Sequence, residues 1–309
     1  MNGYLTEMGR TEAELCELLP YRLASAAIKC AAVNHVTVNE VRLREGQPLC
    51  ITSGGRNIRC ARRVTREDLD STVRHLCSNS LYSHADTIRD GYITARCGVR
   101  AGICGKAVTD GGVITAVTDI SSICLRFPVR VPNAADGAYS LLKRDGFSKS
   151  LLVYSRPCVG KTTLLRELAY RMATGDDALR IAIVDTRSEL SARLDGLEMA
   201  DVLLSYPRGK GIEIALRTLS PEYILCDEIG SAEEADAIME VSHSGVSIAA
   251  SAHGGSFEEL MRCPYIRTLW ENGIFGICLG LLDRDEYGGY VTEISYFEGA
   301  DEKAKEYSL

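Results

Sequence analysis

The chain has 309 residues, 46% hydrophobic and 25% charged, with 28 Gly and 8 Pro, a composition that excludes collagen-like, low-complexity and wholly disordered chains. The net charge of -7 argues against a general nucleic-acid binder, which needs a basic footprint. Charge is also uneven: residues 1–134 hold 17 Lys and Arg against 13 Asp and Glu, and residues 135–309 hold 18 against 29. With a length suited to two domains, this places a boundary near residue 130, between a domain over 1–130 and another over 131–309.

In chain order, residues 12–33 are predicted to be mainly helical. Residues 38–55 alternate apolar and polar and end in a glycine turn, the pattern of paired strands. Residues 65–78 form a predicted helix, with Thr65 and Asp68 at capping-box spacing ahead of Leu69, Val73 and Leu76. The glycine-rich stretch 90–108 again reads as strand. SSICLRFPVRVPNAAD follows, and its two prolines, Pro128 and Pro132, make it the best linker candidate. From there the pattern changes: a helix over 135–144, then apolar strands at 150–155, 180–185, 223–228 and 246–253 alternating with helices. Alternation of that kind indicates a parallel sheet covered on both faces. The predicted fold is therefore α/β, with a smaller α+β domain ahead of the parallel sheet. In such sheets ligands bind at the carboxyl ends of the strands.

The main chemical signal is SRPCVGKTT, residues 155–163, between a predicted strand and helix. It approximates the phosphate-binding pattern G-x-x-x-x-G-K-[ST]. Gly160, Lys161 and Thr162 fit. Ser155 stands at the first glycine, and Cys158 where a further glycine is frequent. Ser155, Arg156, Pro157, Cys158, Val159, Gly160 and Thr163 complete the candidate loop, and the backbone N–H groups after it, with the helix N-terminus, suit a polyphosphate. Lys161 would lie along the β- and γ-phosphates, and Thr162 would ligate Mg²⁺. The second signal is YILCDEIG. Adjacent carboxylates at the end of a buried strand are costly unless they meet a cation or water. With a phosphate loop upstream, Asp227 would hold the Mg²⁺ shell and Glu228 would polarise the attacking water.

His253 ends the next strand in SIAASAHGG and is placed to sense phosphate or water, unless it is a turn histidine satisfied by backbone. Asp185 and Glu189, around Arg187, form either an acidic rim or a salt-bridged loop. Arg56, Arg59, Arg62, Arg63 and Arg66 make a basic run without interleaved aromatics, better read as a solvated face than as a single-strand platform. The twelve cysteines are scattered, form no Cys-x-x-Cys, and read as reduced thiols packed as small hydrophobes. No apolar run approaches the roughly 18–20 residues that span a bilayer; the longest, 273–282, reads as a buried strand or helix. The polar, acidic start, MNGYLTEMGRTEAEL, does not resemble a signal peptide, so a cytoplasmic location is expected, with attachment to a membrane through partners.

VNEVRLREGQPL, DGYITARCGVRAGICGKAV, SSICLRF, VGKTTLLRELA, VDTRSEL, SPEYILCDEIG and ASAHG together resemble the stage III sporulation protein AA family, over about residues 38–300. The resemblance implies an ATPase similar to those of type II and type IV secretion systems, with a RecA-like domain. It implies a homo-hexamer that uses ATP and Mg²⁺ and works with membrane proteins of a channel between mother cell and forespore. Lys161, Thr162, Asp227, Glu228 and His253 match its motifs, and Arg126 matches an arginine that in secretion ATPases reaches the nucleotide at the domain cleft. Ser155, Arg156 and Cys158 depart from its usual loop. Two other readings stand beside this one: a nucleic-acid-dependent ATPase, which the acidic second half disfavours, and a nucleotide-binding scaffold with a weakened loop.

Overall fold

A computed structural model of the chain describes residues 2–78, 80, 84–95, 98–128, 131–157, 159–186, 189–192, 197–284, 289–297 and 303–306. It falls into two compact units, Met1–Val129 and Arg130–Leu309.

The first unit opens with α1 (Asn2–Leu18) and α2 (Tyr21–Asn34). The single predicted helix is thus two, divided where Pro20, which lacks an N–H, starts α2 and restricts Leu19 before it. Then come β1 (Glu40–Arg44), β2 (Pro48–Ser53), β3 (Arg56–Arg63), α3 (Arg66–Leu76), α4 (Ala85–Arg89), β4 (Tyr92–Thr94), β5 (Arg100–Asp110) and β6 (Val113–Arg126). The strands form one sheet in the order β3-β2-β1-β6-β5-β4, antiparallel throughout. Alternate residues Val41, Leu43, Leu49, Ile51, Ala101, Ile103, Ile123 and Leu125 point into a core shared with Leu15, Leu18, Leu23 and Leu69 of the helices. The capping box of α3 is present: Thr65 accepts from the Asp68 N–H, and the Asp68 carboxylate accepts from the Thr65 N–H at 2.8 Å. The expected linker is corrected in part, because SSICLR belongs to β6. Buried Ile123 and Leu125 alternate there with Ser122 and Cys124, which commits the segment to the sheet. At the distal end of β5 and β6, Gly111 and Gly112 both take positive φ (+55° and +83°), the backbone of a tight hairpin turn.

The second unit contains α5 (Asp136–Arg144), β7 (Leu151–Ser155), α6 (Lys161–Met172), β8 (Ile181–Asp185), β9 (Ala200–Leu204), α7 (Arg208–Thr218), β10 (Tyr223–Glu228), α8 (Ala232–His243) and β11 (Ser247–His253). It ends with α9 (Phe257–Leu260), α10 (Pro264–Glu271), β12 (Ile277–Arg284), β13 (Tyr290–Tyr296) and β14 (Lys303–Glu306). Its sheet runs β14-β13-β12-β7-β11-β10-β8-β9. The six strands from β12 to β9 are parallel, and β13 and β14 extend the sheet antiparallel. The central strands read as continuous apolar runs because both faces are covered. Leu151, Val153, Ile183 and Leu225 enter the core on one face, and Leu152, Tyr154, Val184 and Cys226 enter the core on the other. This is an α/β fold built on a largely parallel sheet covered on both faces, preceded in sequence by a smaller α+β unit. The edge strand β9 escapes sequence reasoning because Asp201, Val202 and Leu204 stay exposed, so no buried alternation marks it.

Candidate nucleotide site

Three parallel strands end side by side and carry the site. β11 lies between β7 and β10, and its register sets His253 against Ser155 on one side and Ser251 against Glu228 on the other. The phosphate loop leaves β7 at Ser155 and enters α6 at Lys161. Gly160 caps that helix at φ +129°, a backbone region that L side chains rarely adopt, so glycine is required there. The Tyr290 hydroxyl donates to the Gly160 carbonyl at 3.1 Å and ties the loop to β13.

Ser155 does not behave as a failed glycine. It is an ordinary strand residue, absent from the positive-φ positions, and 1% exposed. Its carbonyl and Oγ accept from Lys161 Nζ at 3.3 and 3.4 Å. Arg156 and Pro157 are exposed, Val159, Thr162 and Thr163 half-buried. Cys158 lies outside the described residues.

Lys161 is 8% exposed. Its Nζ also lies 3.2 Å from His253 Nδ1, while His253 Nε2 lies 2.8 Å from Glu228 Oε2. An ammonium has only donors. Nδ1 must therefore accept, which leaves Nε2–H to donate to Glu228. The imidazole is thereby oriented between the Lys161 ammonium and the Glu228 carboxylate. Residues separated by 25 positions or more in sequence thus form one line, Lys161–His253–Glu228.

Above this line is a cavity of about 410 Å³ lined by Pro157, Gly160, Lys161, Thr162, Thr163, Leu165, Glu189, Leu190, Asp227, Glu228, Ser251 and His253. Asp227 is 8% exposed. The cation that offsets its burial is Arg208, whose Nε donates to Asp227 Oδ1 at 2.7 Å. The surrounding charge raises the Arg208 guanidinium further above its ordinary range: burial works against the charge, and Asp227, Cys226 and Glu234 outweigh it. Among the described residues, no three His, Cys, Asp or Glu side chains gather as a metal cage. The hard oxygens of Thr162, Asp227 and Glu228 among the lining residues nonetheless suit Mg²⁺, which keeps several waters and takes substrate phosphates as ligands.

Asp185 is fully buried and orders the next loop. Its Oδ1 accepts from the Glu189 N–H at 2.9 Å, and its Oδ2 accepts from the Ser191 N–H and Oγ at 2.8 and 2.7 Å. Arg166 Nε donates to the Glu189 carbonyl at 3.1 Å. The loop thereby brings Glu189 and Leu190 to the cavity wall; Arg187 lies outside the described residues.

Arg126 belongs to the first unit. It ends β6, with its Nε 3.4 Å from Glu40 Oε2 and its side chain 71% exposed. Register places it directly opposite both Glu40 and Arg100, and Arg42 lies two residues along β1 on the same face. These scattered arginines meet on the sheet face opposite the core. Like charges directly opposed are unfavourable, and Arg100 is accommodated over the Tyr92 ring at 4.5 Å. Of the basic run, Arg56, Arg59, Arg62 and Arg63 are exposed on edge strand β3, where charge discourages edge pairing. Arg66 is shared among Glu45, Asp70 and Asp119.

Sequence reasoning missed Arg208, Ser251 and Tyr290. Arg208 carried one signal: it opens α7, where the helix dipole disfavours a cation. Among the described residues, no helix is long and apolar enough to cross a membrane.

A family model described as sporulation stage III, protein AA, matches residues 10–301. The stage III sporulation protein AA of Bacillus subtilis is 32% identical over 290 residues, 91% of this chain and 94% of that protein. The structure of the Legionella pneumophila ATPase DotB matches with a TM-score of 0.60 at 16% identity, over 91% of this chain and 81% of that one. The pilus retraction motor PilT with bound ADP matches with a TM-score of 0.59 at 15% identity, over 86% and 81%. The last two likenesses are of fold.

Proposed function

The chain belongs to the sporulation stage III protein AA family, and from that premise we propose that it is an Mg²⁺-dependent ATP hydrolase. The observation that carries this reading is the Lys161–His253–Glu228 line beneath a cavity at the N-terminus of α6. The triphosphate sits at that helix end, where N–H groups and the dipole favour anions. Lys161 exchanges Ser155 and His253 for phosphate oxygens. Thr162 and Asp227 would hold Mg²⁺, which would offset the charge of the phosphates. Glu228 accepts the proton of the attacking water, and His253 orients Glu228 through Nε2–H. Positioning and charge neutralisation supply most of the rate. Arg126 carries the role that the family resemblance gives it, a further cation for phosphate, and its alanine variant tests that role. The protein acts as a homo-hexamer in the mother-cell cytoplasm that assembles or energises a channel complex between mother cell and forespore, held at the membrane by membrane-protein partners of that complex.

Nucleotide binding and turnover of the purified protein test this. Lys161→Ala should abolish turnover and weaken ATP binding, since the cation aimed at the phosphates is gone. Glu228→Gln keeps shape but cannot take a proton; it should bind ATP as the wild type does and turn it over about 100-fold or more slower. Equal loss of binding in both variants would exclude the role given to Glu228. Stimulation by single-stranded oligonucleotides would point instead to a nucleic-acid-dependent enzyme.

A further inference from the structure

We infer that Arg208 is a positioning residue that sets Glu228 for catalysis by clamping the chain on either side of it, at Asp227 and, through Glu234, at Gly230. The inference rests on the hydrolase reading above. Arg208 is 6% exposed at the first position of α7. Its guanidinium reaches in two directions. Nε and Nη2 donate to Asp227 Oδ1, the residue before Glu228. Nη1 lies 2.5 Å from Glu234 Oε1 in the first turn of α8. The other oxygen of Glu234 accepts the Gly230 N–H at 2.7 Å. One planar cation therefore holds the chain just before Glu228 and, through Glu234, just after it.

The geometry needs this type of residue. Arginine presents several donors in a fixed fork, so it can hold two carboxylates at once; lysine is a point charge on a flexible stem. The fork is itself placed by packing. Gly211, one turn along α7, lies where an added Cβ would meet Val184 Cγ1 of β8 at 2.6 Å, so glycine lets the helix start press against the sheet. Glu228 has its own partner, His253, for its carboxylate, and the β11 ladder holds its backbone on one side, where it pairs with Ser251 and the Ile229 N–H donates to the Ser251 carbonyl at 2.8 Å. Arg208 adds a restraint through the side chains of Asp227 and Glu234. Of the cavity wall it touches Asp227 alone among the residues given a role, and neither Lys161, Thr162 nor His253, so its loss should act on turnover and on Mg²⁺ rather than on metal-free nucleotide affinity.

The test is a double-mutant cycle on the full chain, with ATP binding, single-turnover rate and melting temperature measured for each variant. Arg208→Lys keeps the charge and loses the fork. It should lower the single-turnover rate by about ten- to a hundredfold, the scale expected from a misplacement near 1 Å, with ATP affinity measured without Mg²⁺ within twofold of wild type. In a Glu228→Gln background the same substitution should leave the residual rate nearly unchanged, because the group it positions is gone. An equal fall in both backgrounds, or a wild-type rate for Arg208→Lys, overturns the inference while leaving the hydrolase reading intact. Should Arg208→Lys fail to fold, Glu234→Gln keeps the Gly230 acceptor and removes one arm of the clamp, and the same non-additivity is required of it. A wild-type protein that binds no ATP, with a normal melting transition, overturns the hydrolase reading and this inference with it.

Discussion

A serine in place of the first loop glycine looks, in sequence, like decay of the phosphate loop. Its surroundings argue otherwise. Ser155 ends a strand with ordinary backbone torsions, so glycine would bring no conformation that serine lacks. Its hydroxyl and carbonyl both accept from Lys161. Ser155→Gly should therefore weaken, not tighten, the arrangement of Lys161: nucleotide affinity should stay level or fall, and stability should drop by about 1 kcal/mol through the entropy of glycine. Isothermal titration and thermal melts of the variant check this, and a several-fold gain in affinity would show that the loop is limited by Ser155 after all. The residues on the strand ends were legible because each carries a local signature: a lysine after glycine at a helix start, a carboxylate pair after an apolar run, a histidine after another. Arg208 was not, because its meaning lies in two carboxylates, 19 and 26 positions away, that only packing brings to it.

Among the elements, the parallel strands were easy to read because burial on both faces leaves unbroken apolar runs, and the antiparallel first unit was harder. Its basic face is assembled from Arg42, Arg100 and Arg126 on three strands, and only the register reveals it. Glu40 is the acid in the midst of this face. Burial raises its carboxyl pKa, but hydrogen bonds from Arg42 and Cys124 and the charges of Arg42 and Arg126 outweigh that and hold it below its ordinary 4.5. A depressed folded-state pKa adds stability above the unfolded value and loses it as pH falls through the folded one. Wild type should thus be more stable than Glu40→Gln at neutral pH, and the two melting temperatures should converge as pH drops below 4.5; a constant gap down to lower pH would show that Glu40 acts by packing alone. Arg126 adds little to this ion pair because its side chain is exposed. Arg126→Ala should leave the melting temperature nearly unchanged, and its turnover decides its role. A fall per folded molecule supports contact with the phosphates, and an unchanged rate reduces Arg126 to the partner of Glu40.

At the scale of the molecule, the buried apolar residues sort by unit. One cluster runs from Leu15 to Phe127, and two others begin at or after Ala135. Among the described residues, none of these clusters mixes the two sets. Hydrophobic burial supplies most of the drive to fold, and a piece of about 100–150 residues is large enough to bury a core of its own. The first unit needs no strand from the second to complete its sheet, nor the second from the first. A fragment of residues 1–129 should therefore fold alone and melt in one cooperative transition, and a fragment of residues 130–309 should retain ATP binding through Lys161. The fragments differ in charge, with 16 Lys and Arg against 13 Asp and Glu in the first and 19 against 29 in the second, so a mixture should separate on an anion exchanger at neutral pH. Circular dichroism melts of each fragment give the answer. A first fragment without a cooperative transition would mean that its core, though closed in composition, depends on the second unit for stability. A second fragment that melts normally but binds no ATP would place essential nucleotide contacts in the first, and the basic face around Arg126 would be where to look for them.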